Sequence, residues 1–189
     1  YPISDDHVIP VGYPYLERTR RQYENVPTSE QLLFVSQPNI GESFSRMAAE
    51  LAADPDVGFD VVYKLHPHEY DGWRAAYPEL VDTDLTVVDS DDPPLYELFA
   101  LSSAQVGVFS TAIYEGLSFD LDTYLVDLPG VEHLTNLYRD GPAELVGSSQ
   151  ELRRALARPE RGSVDPERFF EPNATANLER AFATIEQDL

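Results

Sequence analysis

The chain has 189 residues, which is enough for one sizeable core and favours a single domain. Its 34 acidic against 13 basic side chains give a formal net charge of -21 at pH 7, which repels nucleic acids and anionic membranes because both bind through clustered Lys and Arg. It contains no cysteine, so disulfides, thiolate metal sites and cysteine catalysis are excluded.

The first 30 residues carry four prolines and no sustained periodicity. This pattern predicts a linker, residues 1–30, with a short strand and a short helix around residues 16–23. From residue 31 onward, short apolar runs alternate with helical periods. The predicted strands are residues 31–37, 59–65, 85–89, 105–109, 123–128 and 143–147, and the predicted helices are residues 42–53, 69–77, 94–102, 111–119, 149–157 and 173–187.

Apolar runs of this length between helices are typical of parallel strands that are buried on both faces. Residues 31–189 are therefore predicted to form one α/β domain, a doubly wound, Rossmann-like parallel sheet of about six strands. Ligands of such sheets bind beyond the carboxyl ends of the strands. The candidate site residues are those that follow the predicted strands: Ser36, Gln37, residues 66–69, residues 89–92, Ser110, Thr111, and residues 127–132 with Asp127 and Glu132 at the two ends.

The run VGVFSTAIYEGL places Ser110 and Thr111 between a strand and a helix. The free backbone N–H groups and the positive dipole end of a helix N-terminus suit a phosphate. The alternative is that either hydroxyl only caps the helix. Glu115 lies one turn into this helix on the Thr111 face, where a carboxylate suits ribose hydroxyls.

The run KLHPHE places His66 directly before Pro67. Because proline disfavours the helical region for the residue before it, we expect His66 to stay extended and to enter the crevice, where an imidazole can donate to a phosphate. His68 and Glu69 are expected to start the following helix. A metal site at His66 and His68 lacks a distant third ligand, and the acidic run DSDDPP is interpreted as a cap and a solvated turn. No metal site is predicted.

Three segments, KLHPHE, LYELFALSSAQVGVFSTAIYEGL and DTYLVDLPGVEHL, together resemble the C-terminal, nucleotide-binding half of two-domain GT-B glycosyltransferases. The resemblance is greatest to enzymes of surface polysaccharides: sialyl- and polysialyltransferases with an HP and a later S-S/T motif, and CDP-glycerol glycerophosphotransferases of teichoic acid synthesis. VGYPYLE resembles the segment by which such chains enter their second domain, and FFEPNATANLERAF resembles their closing helix.

The resemblance implies a role for each matching residue. His66 matches the HP histidine, which contacts the donor phosphate and would act in catalysis, while Ser110 and Thr111 match the S-S/T pair, also at the phosphate. Glu115 matches the acid that often follows on the same helix. The implied substrate is a CMP-, CDP- or UDP-linked donor, the acceptor is a glycan, and no cofactor or metal is obligatory.

In these enzymes the catalytic base belongs to the N-terminal domain. The chain starts at Tyr1 rather than Met, so we expect it to be a fragment that binds nucleotide without turnover and whose partner is that missing domain. Two alternatives stay open: half of a UDP-GlcNAc 2-epimerase, and an α/β interaction module that binds no nucleotide. The sequence has no signal peptide and no apolar run of bilayer length, so we expect a cytoplasmic protein that is peripheral to the inner membrane face only through the missing part.

Lys64 is the only lysine of the chain. An acidic surface with almost no lysine is typical of proteins from a high-salt cytoplasm, where screening removes self-repulsion. The alternative is an ordinary acidic surface. Under the halophilic interpretation, the acidity reflects the solvent rather than the substrate.

The halophilic interpretation predicts a chain that is stabilised by salt. Raising KCl from about 0.1 M to about 1 M shortens the Debye length from about 10 Å to about 3 Å, which weakens repulsion among the carboxylates. We expect the melting temperature, followed by circular dichroism, to rise over this range. A flat profile would contradict the interpretation.

Overall fold

The computed structural model describes residues 8–158 and 165–187. Contacts divide the chain into two units: residues 25–164, and residues 1–24 together with 165–189. This grouping differs from the sequence-based division into residues 1–30 and 31–189 in where it places the closing helix. That helix is grouped with the first helix because the two contact each other.

The larger unit contains six strands: β1 (Gln31–Val35), β2 (Asp60–Lys64), β3 (Thr86–Val88), β4 (Ala104–Gly107), β5 (Asp122–Val126) and β6 (Glu144–Val146). All pairings are parallel, and the strand order is β3-β2-β1-β4-β5-β6. The predicted doubly wound, Rossmann-like sheet is confirmed. The order reverses between β1 and β4, which is where ligands of such sheets bind.

The helices are α1 (Pro14–Gln22), α2 (Gly41–Ala52), α3 (Trp73–Ala76), α4 (Leu95–Leu101), α5 (Ala112–Leu117), α6 (Thr135–Tyr138), α7 (Ser149–Leu156) and α8 (Ala174–Gln187). Short 3-10 turns occupy Pro67–Glu69, Pro78–Leu80, Val131–Leu134 and Pro166–Arg168.

Two of the secondary-structure predictions were wrong. The single helix predicted over residues 69–77 is a 3-10 turn followed by the one-turn helix α3, because Gly72 adopts a left-handed conformation (φ +79°) that interrupts it. No strand occurs in residues 8–30, the part of the predicted linker that the structure describes. The sequence also gave no indication of α6.

The core of the larger unit is mostly aliphatic and includes two aromatic groups around the central strands. Phe34, Phe44 and Tyr63 pack with ring centroids 5.2–6.2 Å apart and join β1 and β2 to α2. Tyr96, Phe99 and Phe119 pack at 5.7–6.0 Å and join α4 to the end of α5. Because parallel strands connect by right-handed crossovers, reversal of the strand order sends α2 and α5 to opposite faces of the sheet.

The smaller unit brings α1 and α8 together. The carboxylate of Glu17 in α1 accepts a hydrogen bond from the backbone N–H of Ala174, the first residue of α8, at 2.8 Å. Gly12 has φ +82°, and a Cβ there would overlap the carbonyl oxygen of Glu171. The two segments therefore approach each other at backbone level, at a position that only glycine tolerates.

Among residues 8–158 and 165–187, no helix has both the length and the apolar character needed to cross a bilayer.

Gly116 in α5 is expected to be intolerant of alanine. Alanine normally favours a helix over glycine, but here a Cβ would overlap the side chain of Gln105, which is fully buried and tied by its Nε2 to Ile113 O and Thr123 Oγ1. We expect Gly116→Ala to lower the free energy of unfolding by about 1–3 kcal/mol, as overpacked cores do, measured by urea denaturation.

The control is the double variant Gly116→Ala with Gln105→Ala, which makes room for the new methyl group. The two substitutions should be coupled, so that the double variant is more stable than the sum of the single effects predicts. Simple additivity would show that the overlap is relieved in some other way.

Candidate functional site

The candidate site lies at the carboxyl ends of the central strands. Val35 pairs with Lys64, and Phe34 pairs with Val106. Gln37 follows the end of β1 by two residues, His66 follows the end of β2 by two, and Ser110 follows the end of β4 by three. Since adjacent strands are about 4.8 Å apart, the ends of β2 and β4, which flank β1, are separated by roughly 10 Å. The fold thus brings three of the predicted site segments to one edge of the sheet.

His66 begins the 3-10 turn Pro67–Glu69 in an extended conformation (φ -68°, ψ 147°), as its position before proline predicts. Its Nδ1 accepts a hydrogen bond from the backbone N–H of His68 at 3.2 Å. Its own backbone N–H donates to Glu69 Oε2 at 2.8 Å. The side chain is half-buried, and the exposed ring of His68 packs edge-on against it.

Glu69 is a buried carboxylate, only 6% exposed. Besides the His66 N–H, it accepts hydrogen bonds at Oε1 from Ser36 Oγ at 3.1 Å and from the Tyr77 hydroxyl at 2.5 Å. Burial, followed by the hydrogen bond to Glu69, raises the pKa of Tyr77, so that this hydroxyl stays a donor. His68 and Glu69 were predicted to start the following helix; instead Glu69 ends the 3-10 turn after β2, and its burial and its partners were not foreseen.

Ser110 and Thr111 precede α5, as predicted. Ser110 Oγ accepts a hydrogen bond from the backbone N–H of Ala112 at 3.2 Å, so this hydroxyl does act as a local cap. Thr111 is exposed, and its side chain makes no capping bond. The helix has six residues rather than the nine predicted, and its macrodipole is correspondingly small. An anion at this position would depend more on hydroxyl donors than on the dipole.

Glu115 lies half-buried on α5 and accepts a hydrogen bond at Oε2 from the Tyr96 hydroxyl of α4 at 2.5 Å. This bond fixes the carboxylate relative to the aromatic group of α4. Tyr96 was not among the predicted site residues, because no sequence spacing links a helix residue to one nineteen positions later.

Gln37, Asp127 and Glu132 were predicted as further candidates. Gln37 Oε1 is buried and has no hydrogen-bond partner among the residues that the structure describes. Asp127 is exposed at the end of β5. Glu132 is also exposed, and the backbone N–H groups of Glu132 and Gly130 that bond to its carboxylate lower its pKa.

Lys64 ends β2 and is 7% exposed. Its ammonium donates to Ser90 O at 2.7 Å and to the Tyr70 hydroxyl. The single proton of that hydroxyl lies within reach of two acceptors, Asp91 Oδ1 and Ser90 O, both at 2.9 Å. Burial lowers the pKa of Lys64, and the nearby Asp91 and Asp89 act in the opposite direction. These residues, Lys64, Tyr70, Ser90 and Asp91, form the Lys64 cluster. In the sequence, the only indication of it was a lysine inside the apolar run VVYKL.

The acidic run after β3 is part of the same framework. Asp89 Oδ2 accepts from Trp73 Nε1 at 2.8 Å, and Asp91 accepts from Tyr70. In residues 8–158 and 165–187, no three His, Asp or Glu side chains are grouped in a way that would hold a metal ion.

Two surface depressions lie at the opposite, amino-terminal edge of the sheet. Their volumes are 440 Å³ and 540 Å³, and acidic side chains such as Glu30, Asp60 and Asp122 line them. Such linings repel phosphate groups, so these depressions are poor sites for a nucleotide. The carboxyl edge remains the better candidate.

No known family model matches the chain, and no curated protein matches it in sequence. Solved structures do match. UGT89C1 from Arabidopsis thaliana, complexed with UDP, has a TM-score of 0.54 and 15% identity over 92% of this chain. A variant of the wall teichoic acid polymerase TagF has a TM-score of 0.51 and 12% identity over 94% of it.

The match covers 47% of the UGT89C1 chain and 48% of the TagF chain. The chain therefore spans about half the length of these proteins. WaaG, a glycosyltransferase involved in lipopolysaccharide biosynthesis, also matches, with a TM-score of 0.46 and 17% identity over 82% of this chain and 46% of its own. At these identities the likeness to UGT89C1 and TagF establishes a shared fold.

Tyr70 provides a pH-dependent test of the Lys64 cluster. Burial, and then the hydrogen bond to Asp91, raise the pKa of Tyr70 from 10.0 to about 12. Between pH 10 and about pH 12, the Tyr70 hydroxyl therefore keeps its proton in the folded chain, whereas it has lost that proton in the unfolded chain. The stability contributed by Tyr70 is fully present below pH 10 and is lost as the pH rises through about 12.

The measurement is the tyrosinate absorbance of the wild type minus that of Tyr70→Phe. The difference should titrate near pH 12, and Asp91→Asn should move it downward. A titration at the ordinary pKa of tyrosine would show that the hydroxyl is solvated rather than held by Asp91.

Proposed function

We propose that this chain is the donor-nucleotide-binding half of a GT-B transferase. The enzyme transfers a sugar, or glycerol phosphate, from a CMP-, CDP- or UDP-linked donor to a cell-surface glycan. The chain binds the nucleotide part of that donor at the carboxyl edge of its sheet.

The observation that carries the proposal is the position of Gln37. Its Oε1 is one of four buried side-chain atoms that lack a partner among the described residues, with those of Ser103, Gln105 and Ser118, and among the four it is the one that follows β1, next to the reversal of strand order. Buried acceptors are rarely left unpaired, and those that are call for an explanation. This atom is shielded from solvent, so a ligand would donate to it after the side chain turns outward, and such a ligand would lie with His66 on one side and Ser110 on the other.

Each residue has a role that follows from its chemistry. The His66 imidazole and the Thr111 and Ser110 hydroxyls donate to phosphate oxygens, and Glu115 accepts from ribose hydroxyls. Donors aimed at the departing nucleotide phosphate stabilise the negative charge that develops there as the bond to the transferred group breaks. This electrostatic mechanism needs no metal ion.

Two of the structural likenesses support the proposal. The UGT89C1 structure contains UDP, and TagF is a polymerase of wall teichoic acid. Both proteins are about twice as long as the matched region. We therefore propose that a second domain completes the enzyme and supplies the acceptor site and the catalytic base.

One observation favours a second candidate, an α/β interaction module that binds no nucleotide. Ser110 Oγ already caps the Ala112 N–H, so a purely structural role accounts for this hydroxyl. The same does not hold for Gln37. Isothermal titration calorimetry of the 189-residue chain with CMP, CDP and UDP separates the two candidates, because only the transferase half gives a heat of binding that saturates. Comparison of the Kd values within the panel also shows which base and how many phosphates the chain prefers.

His66→Ala tests the phosphate contact. Hydrogen bonds to charged groups contribute about 1.5–3 kcal/mol, so we expect the Kd for the best nucleotide of the panel to rise by about tenfold or more. His68→Ala is the matched control, because it removes an exposed imidazole two residues away and keeps the backbone N–H that bonds to His66. An affinity for His66→Ala within about a factor of two of the wild type would exclude His66 from the phosphate site.

A further inference from the structure

The turn after β2 has an unusual cap. Two reciprocal bonds close it: the His68 N–H donates to the His66 side chain, and the His66 N–H donates to the Glu69 side chain. This is the arrangement of a capping box, in which the first position is normally Ser or Thr. Here a histidine occupies the first position, so the cap determines which ring nitrogen of that imidazole carries the proton.

The nitrogen that accepts the His68 N–H is Nδ1, at 3.2 Å. An imidazole nitrogen accepts a hydrogen bond only through its lone pair, so Nδ1 carries no proton. In the neutral ring the proton is then on Nε2. The backbone of the turn thereby selects which of the two ring nitrogens is the donor.

We propose that Glu69 is a positioning residue that holds His66 as its Nε2–H tautomer, with that N–H as the donor to the phosphate. This inference rests on the proposed function for the phosphate and on the observed hydrogen bonds for the tautomer.

Glu69 is well placed to hold the turn because three segments meet at its carboxylate. Ser36 lies just beyond β1, the His66 N–H belongs to the end of β2, and Tyr77 follows α3. A buried carboxylate with three donors is held in one orientation, since losing any donor leaves an oxygen unpaired in a dry environment. The His66 backbone is therefore fixed relative to the end of β1, where Gln37 lies.

A fixed tautomer has a consequence for catalysis. A donor that is already protonated at the right nitrogen and already oriented loses little free energy to reorganisation when charge develops on the phosphate. Glu69 itself contacts neither donor nor acceptor in this proposal. It acts only through His66.

The test is ¹⁵N NMR of the histidine side chains, in the wild type and in Glu69→Ala, with His66→Gln used to assign the resonances. In the neutral ring of the wild type, we expect His66 Nδ1 to have the shift of an unprotonated nitrogen and Nε2 that of a protonated one. In Glu69→Ala we expect the two shifts to converge, because the turn no longer selects a tautomer. Glu69→Gln keeps an acceptor for the His66 N–H and should restore the selection.

Glu151→Ala is the matched control. Glu151 Oε2 accepts from the Gly147 N–H at 2.7 Å, and Ser148 Oγ caps the Glu151 N–H at 3.2 Å, so the same kind of cap is removed beyond β6. Because Glu151 is exposed, this variant should lose less stability than Glu69→Ala, and it should leave the His66 shifts unchanged. Any change at His66 in this control would indicate a general effect of destabilisation and would count against the proposal.

The wild-type spectrum alone decides the first point, even if Glu69→Ala does not fold: a proton on His66 Nδ1 overturns the proposal. Unchanged shifts in folded Glu69→Ala overturn the role of Glu69. Nucleotide affinity is measured separately on the same variants, and we expect Glu69→Ala to weaken binding about as much as His66→Ala does. If the wild type binds no nucleotide of the panel, the proposed function fails while the tautomer result still stands on its own.

Discussion

A parallel sheet buried on both faces constrains everything else in this molecule. Its interior positions accept almost only apolar side chains, so polar groups with a chemical role are confined to the strand ends. The reversal of strand order between β1 and β4 opens one edge between diverging connections. His66, Gln37 and Ser110 share one edge of the sheet for this reason and not because of any local sequence spacing.

The same constraint explains how far the sequence could be interpreted. The six strands and most of the helices were predictable because apolar runs and helical periods are local signals. The break at Gly72 was not, since a glycine is compatible with either continuation. The candidate residues at the strand ends were also predictable, because geometry alone selects them. Their partners were not: Ser36, Tyr77 and Tyr96 join the site through contacts made only in the folded chain.

The acidic composition acts differently at the surface and at the site. Among the residues that the structure describes, most carboxylates are exposed to solvent, where salt screens them. The buried Glu69 is satisfied by hydroxyl and amide donors, and the single lysine is held in the β2 terminus near Asp89 and Asp91. The edge where a phosphate is proposed to bind therefore depends on neutral donors rather than on a cluster of cations.

The contact between α1 and α8 has a bearing on how the chain is made. The hydrogen bond from Ala174 to Glu17 joins residues 157 positions apart. At about 5–20 residues per second, a ribosome takes roughly 10–30 s to synthesise the intervening segment. During that time α1 has emerged without the helix against which it packs. All six strands of the sheet lie between residues 31 and 146 and are synthesised before α8, so the sheet has the opportunity to form first and the contact between α1 and α8 forms last.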